Sequence, residues 1–153
     1  MQLPKLINSL QILTVEQQHI EIMDTTLRDG EQTSGVSFSA SEKLTIAKLL
    51  LTDLKVDRIE IASARVSEGE FQAVKKITKW AKENGYQDRV EVLTFVDGEV
   101  SVNWMLEAGA TVMNLLTKGS LNHLTHQLKK TAEQHFAEIA AVLQLAKENG
   151  LKS

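Results

Sequence analysis

Residues 21–33 are Glu21-Ile-Met-Asp-Thr-Thr-Leu-Arg-Asp-Gly-Glu-Gln-Thr33, and the organisation of the rest of the chain follows from this segment. Its first half predicts a strand at about residues 20–27, because an apolar run is followed by two β-branched threonines. Its second half is a polar cluster, where a buried strand meets a loop. An arginine beside an aspartate is costly to bury unpaired. Arg28 and Asp29 therefore indicate either a solvated salt bridge at a turn or a site that holds a metal and polarises a carbonyl group.

Three further segments predict strands, and the sequence after each of the four predicts a helix. The later strands are expected at about residues 56–62, 89–96 and 111–117. The helices are expected to end near residues 54, 85 and 109, and the last begins near residue 121 with an interruption near residue 131. Capping boxes, in which a Ser or Thr stands three residues before a Glu or Gln, are predicted for Ser39 with Glu42, Ser67 with Glu70, and Thr131 with Gln134.

Apolar residues recur at helical spacing in three of these helices and predict the faces that pack on the sheet. The predicted buried positions are Ala47, Leu50, Leu51 and Leu54 in the first helix, Phe71, Val74, Ile77 and Ala81 in the second, and Phe136, Ile139, Ala140 and Leu143 in the last.

The alternation of strands and helices predicts an α/β fold with parallel strands joined by right-handed crossovers. Two layouts fit, a doubly wound sheet or part of a (β/α)8 barrel. The first loop lacks the Gly-x-Gly-x-x-Gly of dinucleotide sites, and polar clusters stand at the carboxyl ends of the strands, which favours the barrel. Ala81-Lys-Glu-Asn-Gly85 recurs as 146–150, and the chain then stops where a fifth strand is expected. We therefore predict a lead-in segment, 1–19, helical in part around residues 6–13, and the first four of eight barrel strands in 20–153, the second half being absent.

Composition excludes several classes of protein. The 153 residues carry a net charge of −3 with scattered signs, so no basic surface for nucleic acid or polybasic membrane patch is expected. There is no cysteine and hence no disulfide framework or thiolate metal site. No apolar run approaches the roughly 18 residues of a membrane span, and residues 1–19 show no secretory signal. A cytoplasmic protein is expected.

Leu27-Arg-Asp-Gly-Glu-Gln32, followed after ten residues by Lys43, resembles the first signature of the isopropylmalate and homocitrate synthase family. These are acyl-CoA condensing enzymes built on a metal-dependent barrel. Residues 59–65, 95–98 and 114–124 are similar to the bacterial branch that contains 2-isopropylmalate and citramalate synthases, and homocitrate synthase is the alternative within the family. Hydroxymethylglutaryl-CoA lyases, which usually have a proline before the Arg-Asp pair, and biotin-dependent carboxyltransferases are less similar.

The resemblance implies an acyltransferase that joins acetyl-CoA to a 2-oxo acid, 2-oxoisovalerate or pyruvate, and yields a 2-alkylmalate in leucine or other branched-chain amino-acid biosynthesis. A divalent metal (Mg, Mn or Zn) would polarise the ketone, with Asp29 as its ligand. Arg28 would stabilise the developing oxyanion. Glu60 would be a second catalytic residue near the site, or else form a plain ion pair with an arginine. Gln32 would bind the substrate near the metal, or else shape the turn.

Three apolar residues near strand ends, Leu93, Phe95 and Leu116, would line the pocket for the oxo acid or else belong to the core. His123 follows the fourth strand and is close enough in sequence to approach the site. We expect the other histidines, His19, His126 and His135, to be exposed.

The family completes its metal site with a His-x-His pair, and this chain contains none. We therefore expect these residues alone neither to bind the metal tightly nor to catalyse. Unpaired outer strands predict self-association into a homo-oligomer. Two alternatives stay open, a non-catalytic half-barrel that serves as an assembly module, and a hydroxymethylglutaryl-CoA lyase-like enzyme.

Overall fold

A computed structural model describes residues 19–153 of the chain. The predicted lead-in segment, with its helix around residues 6–13, lies outside the described residues except for His19. Within residues 19–153, no helix is both long enough and apolar enough to cross a membrane.

Across residues 19–153, four parallel strands and four principal helices alternate. The strands are β1 (Met23–Asp24), β2 (Arg58–Ser63), β3 (Val90–Phe95) and β4 (Val112–Leu116). The helices are α1 (Ala40–Lys48), α2 (Glu68–Asn84), α3 (Val100–Ala108) and α4 (Ala132–Glu148). Short 3₁₀ turns cover Gly30–Gln32 and Gln87–Arg89, and π-helical turns cover Leu49–Asp53 and His123–Leu128.

The order of the strands in the sheet distinguishes the two layouts left open by the sequence. The strands pair in the order β1-β2-β3-β4, so each crossover moves one position in the same direction. Right-handed crossovers of this kind place every helix on the same face of the sheet, whereas a doubly wound sheet reverses direction. Successive helices contact one another accordingly. The fold is therefore the first four units of a (β/α)8 barrel, as predicted, and its sheet is not closed.

The carboxyl-terminal residues add a first link to the outer edge of β4. Lys152 pairs in parallel with Val112, donates its amide to the carbonyl of Thr111 at 2.9 Å and accepts the amide of Met113 at 2.7 Å. The segment after α4 thus returns to the sheet beside β4, which is the position that the predicted fifth strand requires.

Strand β1 is much shorter than the predicted 20–27. The carbonyl of Thr25 accepts the amides of Arg28, Asp29 and Gly30 at 3.1, 2.8 and 3.1 Å. The Asp24 carboxylate accepts the amide of Thr26 at 2.9 Å. These local bonds close a turn directly after Asp24, because they satisfy groups that would otherwise extend the ladder. The polar cluster is consequently held in a compact turn.

The core lies between the sheet and the helices. The predicted faces of α1 and α2 are buried, except that Phe71 is only partly buried and Leu54, after the π-helical turn, is 70% exposed. The predicted face of α4 is wrong. Its buried residues are His135, Val142 and Ala146, whereas Phe136 is 67% and Leu143 37% exposed. The helix packs on a face about a quarter turn away from the predicted stripe, and the described residues leave that stripe largely uncovered.

Two of the three capping boxes are complete and one is not. Ser39 with Glu42 and Thr131 with Gln134 exchange both hydrogen bonds. Ser67 accepts the amide of Glu70 at 3.1 Å, but the Glu70 carboxylate does not reach back to Ser67. It pairs instead with Lys43 of α1 at 2.5 Å, because a buried ammonium is a stronger partner than one more backbone amide.

Candidate active site

The turn after β1 carries Arg28 and Asp29 at the carboxyl end of the sheet. Arg28 is largely buried, with 20% of its side chain exposed, and its Nη1 donates to Asp29 Oδ1 at 2.7 Å. Its Nε donates to Oε2 of Glu60 on the neighbouring strand β2. The arginine is therefore fixed by two carboxylates, one local and one from the sheet.

Glu60 is the centre of this cluster because it is fully buried. Its second oxygen, Oε1, accepts Asn114 Nδ2 at 2.6 Å, so the contact reaches from β2 past β3 to β4. A buried carboxylate needs a cation and hydrogen-bond donors to offset its lost hydration. Arg28 and Asn114 supply both, and together they hold the carboxylate in one orientation. Residues from β2, β4 and the turn after β1 thus meet at one point.

Asp29 and Gln32 are placed toward solvent. The Asp29 side chain is 61% exposed and its contact with Arg28 uses only one oxygen. Gln32 is exposed at the end of the 3₁₀ turn and lines a cavity of about 310 Å³ that Arg28 and Ser63 also line. Within residues 19–153 no group of three or more His, Cys, Asp or Glu side chains is arranged to hold a metal. Since a hard divalent ion takes about six ligands, these residues do not form a complete metal site.

The three apolar candidates separate into two places. Phe95 and Leu116 pair in register at the ends of β3 and β4, and both line a cavity of about 280 Å³. Leu93 is 8% exposed, stands opposite Asn114, and is not among the residues that line this cavity. The remaining lining residues come from the end of β3, the loop after β4 and α4, and they are Val96, Thr117, Lys118, Leu128, Lys130, His135 and Glu138.

The loops after β2 and β3 are joined by an ion pair of their own. Arg65 Nη1 contacts Asp97 Oδ2 at 2.6 Å, and Asp97 accepts the amide and the hydroxyl of Ser101 at the start of α3 at 3.0 and 2.7 Å. Burial alone would raise the pKa of Asp97, but the bonds from Ser101 and the Arg65 charge outweigh it and lower that pKa. The ionised carboxylate of Asp97 thus holds the loop after β2 and the start of α3 together at the carboxyl end of the sheet.

The histidines differ from expectation at one position. His123 and His126 are exposed, and His19 is exposed as well. His135, expected on the surface, is only 3% exposed and its Nε2 lies 2.7 Å from Thr117 Oγ1 and 3.1 Å from the Lys118 carbonyl. A carbonyl only accepts, so the contact with Lys118 is a hydrogen bond in the tautomer that carries the proton on Nε2. The contacts with the loop after β4 explain why this helix position is buried.

Two residues of the site carried no predicted role. Asn114 stands in the middle of an apolar strand, where its polar side chain and low strand propensity were an available signal. Lys43 stands four residues before Ala47, on the apolar face of α1, and it is 1% exposed. A lysine at helical spacing on an apolar stripe indicates a buried cation with acidic partners, and those partners are Glu31 and Glu70.

The geometry defines what the site can do. Arg28 keeps 20% of its side chain exposed and lines a cavity at the carboxyl end of a parallel barrel sheet, where barrel enzymes place their chemistry. A guanidinium has five N–H donors, and Glu60 and Asp29 take two of them. The remaining donors suit an oxygen that gains negative charge. The turn after β1, with Arg28 held by Glu60 and Asp29, is therefore the candidate active site of this barrel fold.

Comparison with known proteins assigns the family. The HMGL-like family profile matches residues 19–153, and the chain belongs to this family. It is 38% identical over 133 residues to the (R)-citramalate synthase CimA of Methanocaldococcus jannaschii, covering 86% of this chain and 26% of that protein. It is 36% identical over 139 residues to the 2-isopropylmalate synthase of Sulfurisphaera tokodaii, covering 90% of this chain and 34% of that protein.

Homocitrate synthase AksA of Methanopyrus kandleri is a third relative, 38% identical over 130 residues, with 85% of this chain and 31% of that protein covered. The chain therefore spans about a quarter to a third of the length of these relatives. The resemblance to the isopropylmalate and homocitrate synthase family, which the segment around Arg28 indicated, is confirmed.

Proposed function

We propose that this chain is the amino-terminal part of an acyl-CoA condensing synthase, which joins acetyl-CoA to a 2-oxo acid, hydrolyses the thioester with release of CoA and yields a 2-alkylmalate. The observation that carries the proposal is Arg28, held at the end of β1 by the fully buried Glu60. The names of the relatives, which are citramalate, isopropylmalate and homocitrate synthases, support it.

Arg28 and Glu60 have distinct tasks in this reaction. When the thioester-derived carbon attacks the ketone, negative charge develops on the ketone oxygen. Arg28 would donate to that oxygen, and a fixed cation with directional donors is suited to stabilise it. Glu60 would position Arg28 through its Nε, and Asn114 would hold Glu60 in turn. Because Glu60 accepts from both neighbours, we assign it a positioning task and no proton transfer.

The 2-oxo acid would be 2-oxoisovalerate or pyruvate, which places the reaction in branched-chain amino-acid biosynthesis, for example of leucine. Phe95 and Leu116 line a largely apolar cavity at the carboxyl end of the sheet and would contact the alkyl group. Leu93 lies beside Asn114 in register, outside that cavity, and would contact the substrate on the side of Asn114. Gln32 would contact the substrate from the opposite side, beside Arg28.

Residues outside this chain would complete the metal site. Asp29 offers one exposed carboxylate, to which a divalent ion that polarises the oxo acid would bind together with further ligands. We expect residues 1–153 alone to show no tight, stoichiometric site for Mg, Mn or Zn in a calorimetric titration, and no condensing activity. A cytoplasmic location accompanies this proposal, since acetyl-CoA and 2-oxo acids are its substrates.

The decisive experiment starts from the gene. Sequencing past the codon for Ser153 shows whether the frame continues, and the complete polypeptide is then assayed for free thiol released from acetyl-CoA with a panel of 2-oxo acids. We expect release that depends on the oxo acid. Arg28→Lys should lower kcat by about 10²- to 10³-fold, because the remaining ammonium lacks the directional fork.

Lys76→Met, a change on the exposed face of α2, is the matched control and should leave the rate unchanged. Cleavage of hydroxymethylglutaryl-CoA without condensation would point to a lyase instead. A stop codon directly after Ser153, with no activity, would contradict the synthase proposal and favour a non-catalytic assembly module.

A further inference from the structure

We propose that Lys43 is the positioning residue that holds the Arg28–Asp29 turn in place. The turn lies between two short anchors, the carbonyl of Leu27 directly before it and the side chain of Glu31 directly after Gly30. The Lys43 ammonium donates to the Leu27 carbonyl at 3.2 Å and pairs with Glu31 Oε2. Both ends of the turn are therefore attached to one atom of α1. The importance of this turn for catalysis rests on the proposed function, but the attachment itself does not.

The Lys43 side chain is built into the core and does not act as a surface charge. It is 1% exposed, and its third contact is Glu70 Oε1 at 2.5 Å. An ammonium has three N–H donors, and the three acceptors are the Leu27 carbonyl, Glu31 and Glu70. Because a buried cation without partners is strongly disfavoured, the ammonium holds its acceptors at fixed positions.

Each carboxylate connects Lys43 to a different loop. The second oxygen of Glu31, Oε1, accepts the amide of Phe38 at 2.9 Å, which ties down the far end of the loop between the turn and α1. Glu70 lies in the first turn of α2, so the same ammonium also fixes the segment that follows β2. The contact with Lys43 also explains why the capping box at Ser67 is incomplete, since the Glu70 carboxylate pairs with Lys43 and not with the Ser67 amide. The Arg28 turn is thereby anchored to helix α2 through Lys43.

Arg28 needs such an anchor because its turn has little support from the sheet. Strand β1 is only two residues long and pairs on one side with β2. Misplacement of a catalytic group by about 1 Å can cost about 10²-fold in rate. Lys43 limits the movement of the turn from the helix side, while Glu60 limits it from the sheet side.

The test reads the environment of Arg28 directly in the 153-residue chain. A guanidinium Nε–H that donates to a buried carboxylate exchanges slowly with water and gives its own ¹⁵N–¹H resonance, which Arg28→Lys identifies by removing it. We expect Lys43→Met to accelerate exchange of this proton and of the Arg28, Asp29 and Gly30 amides by about 10- to 100-fold. Amides of β2 such as Ile59 should stay slow. Lys76→Met should change nothing.

A second variant keeps the proposal testable if Lys43→Met does not fold. In Glu31→Gln the side-chain oxygen can still accept from Phe38, but the amide group turned toward Lys43 repels the ammonium, so the Arg28 proton should again exchange faster. Glu68→Gln, an exposed change in the same turn of α2 as Glu70, is the matched control. Unchanged Arg28 exchange in folded Lys43→Met, or in Glu31→Gln, would overturn the proposal. The readout needs no activity, so an error in the proposed function would not produce this result.

Discussion

Glu60 shows how much of the site depends on a single buried charge. Its carboxylate has no exposed surface and accepts from Arg28 and Asn114. Glu60→Gln keeps the shape but leaves the guanidinium without its buried counter-charge. We expect the free energy of unfolding, measured by urea denaturation, to fall by about 3 kcal/mol. Removing one partner of a buried ion pair leaves the other charge buried without a counter-charge.

Glu138→Gln is the comparison for Glu60, because Glu138 forms an exposed ion pair with Lys130 at 2.6 Å. The Glu138 side chain is 42% exposed and the Lys130 side chain is 35% exposed. The contact is screened by water, so its loss should cost less than about 1 kcal/mol. Equal losses in the two variants would show that Glu60 is not held as a buried ion pair.

The pH dependence of stability should carry the signature of Asp97. A carboxylate whose pKa is lowered on folding stabilises the folded state above its ordinary value of 3.8, and this contribution is lost as the pH falls through the lowered pKa. We expect Asp97→Asn to reduce the free energy of unfolding by about 1–2 kcal/mol at neutral pH. The difference from the unmodified chain should shrink below pH 3.8. Denaturation curves at neutral and acid pH test this, and a difference that does not vary with pH would contradict it.

Among the elements, helix α4 offers the clearest test of which face packs on the core. In the structure its most apolar stripe is exposed and a neighbouring face is buried. Val142 is 2% exposed and Phe136 is 67% exposed. Val142→Ala should therefore lower the free energy of unfolding by about 2 kcal/mol, from lost burial and the cavity left behind. At concentrations at which the chain is monomeric, Phe136→Ala should change it by less than about 0.5 kcal/mol, although it removes more atoms. A larger loss for Phe136→Ala than for Val142→Ala in urea denaturation would show that α4 packs through the face predicted from the sequence.

The elements also show how far local sequence rules extend. The capping boxes at Ser39 and Thr131 and the faces of α1 and α2 follow from short-range spacing, and the sequence predicts them. The incomplete box at Ser67 does not follow, because Lys43 competes for Glu70 from another helix. The buried face of α4 depends on which neighbours cover it, and periodicity alone does not contain that information.

The candidate site divides in the same way. Arg28 and Asp29 in the turn after β1 and Glu60 on β2 are residues that the sequence assigns to the site region, and the structure brings Arg28 into contact with the other two. The contact between Glu60 and Asn114 joins residues 54 positions apart across an intervening strand. Which residue Glu60 contacts on β4 depends on the register of three strands, and no local sequence pattern specifies that register. The separation of Leu93 from the cavity of Phe95 and Leu116 depends on register too.

At the scale of the whole molecule, the four barrel units that residues 19–153 form leave apolar surface exposed at both sides. At the β1 side, Ile20 is 79% and Ile22 61% exposed, and at the other side Phe136 and Leu143 of α4 are exposed. Parallel sheets are normally covered on both faces, and free edges favour pairing with another chain. We therefore expect residues 1–153, in isolation, to associate with further copies through these surfaces.

Sedimentation velocity over a range of concentrations measures this association. The unmodified chain should show a mean sedimentation coefficient that rises with concentration, because the contact is intermolecular. Phe136→Lys, which places a charge in the exposed apolar stripe of α4, should shift the chain toward monomer. Ala141→Lys is the control, since Ala141 is exposed on the same helix but well away from that stripe. A single monomer species at every concentration would contradict the expectation. Equal effects of both lysines would instead point to net charge as the cause, since a buried contact distinguishes the two faces of α4 and overall repulsion does not.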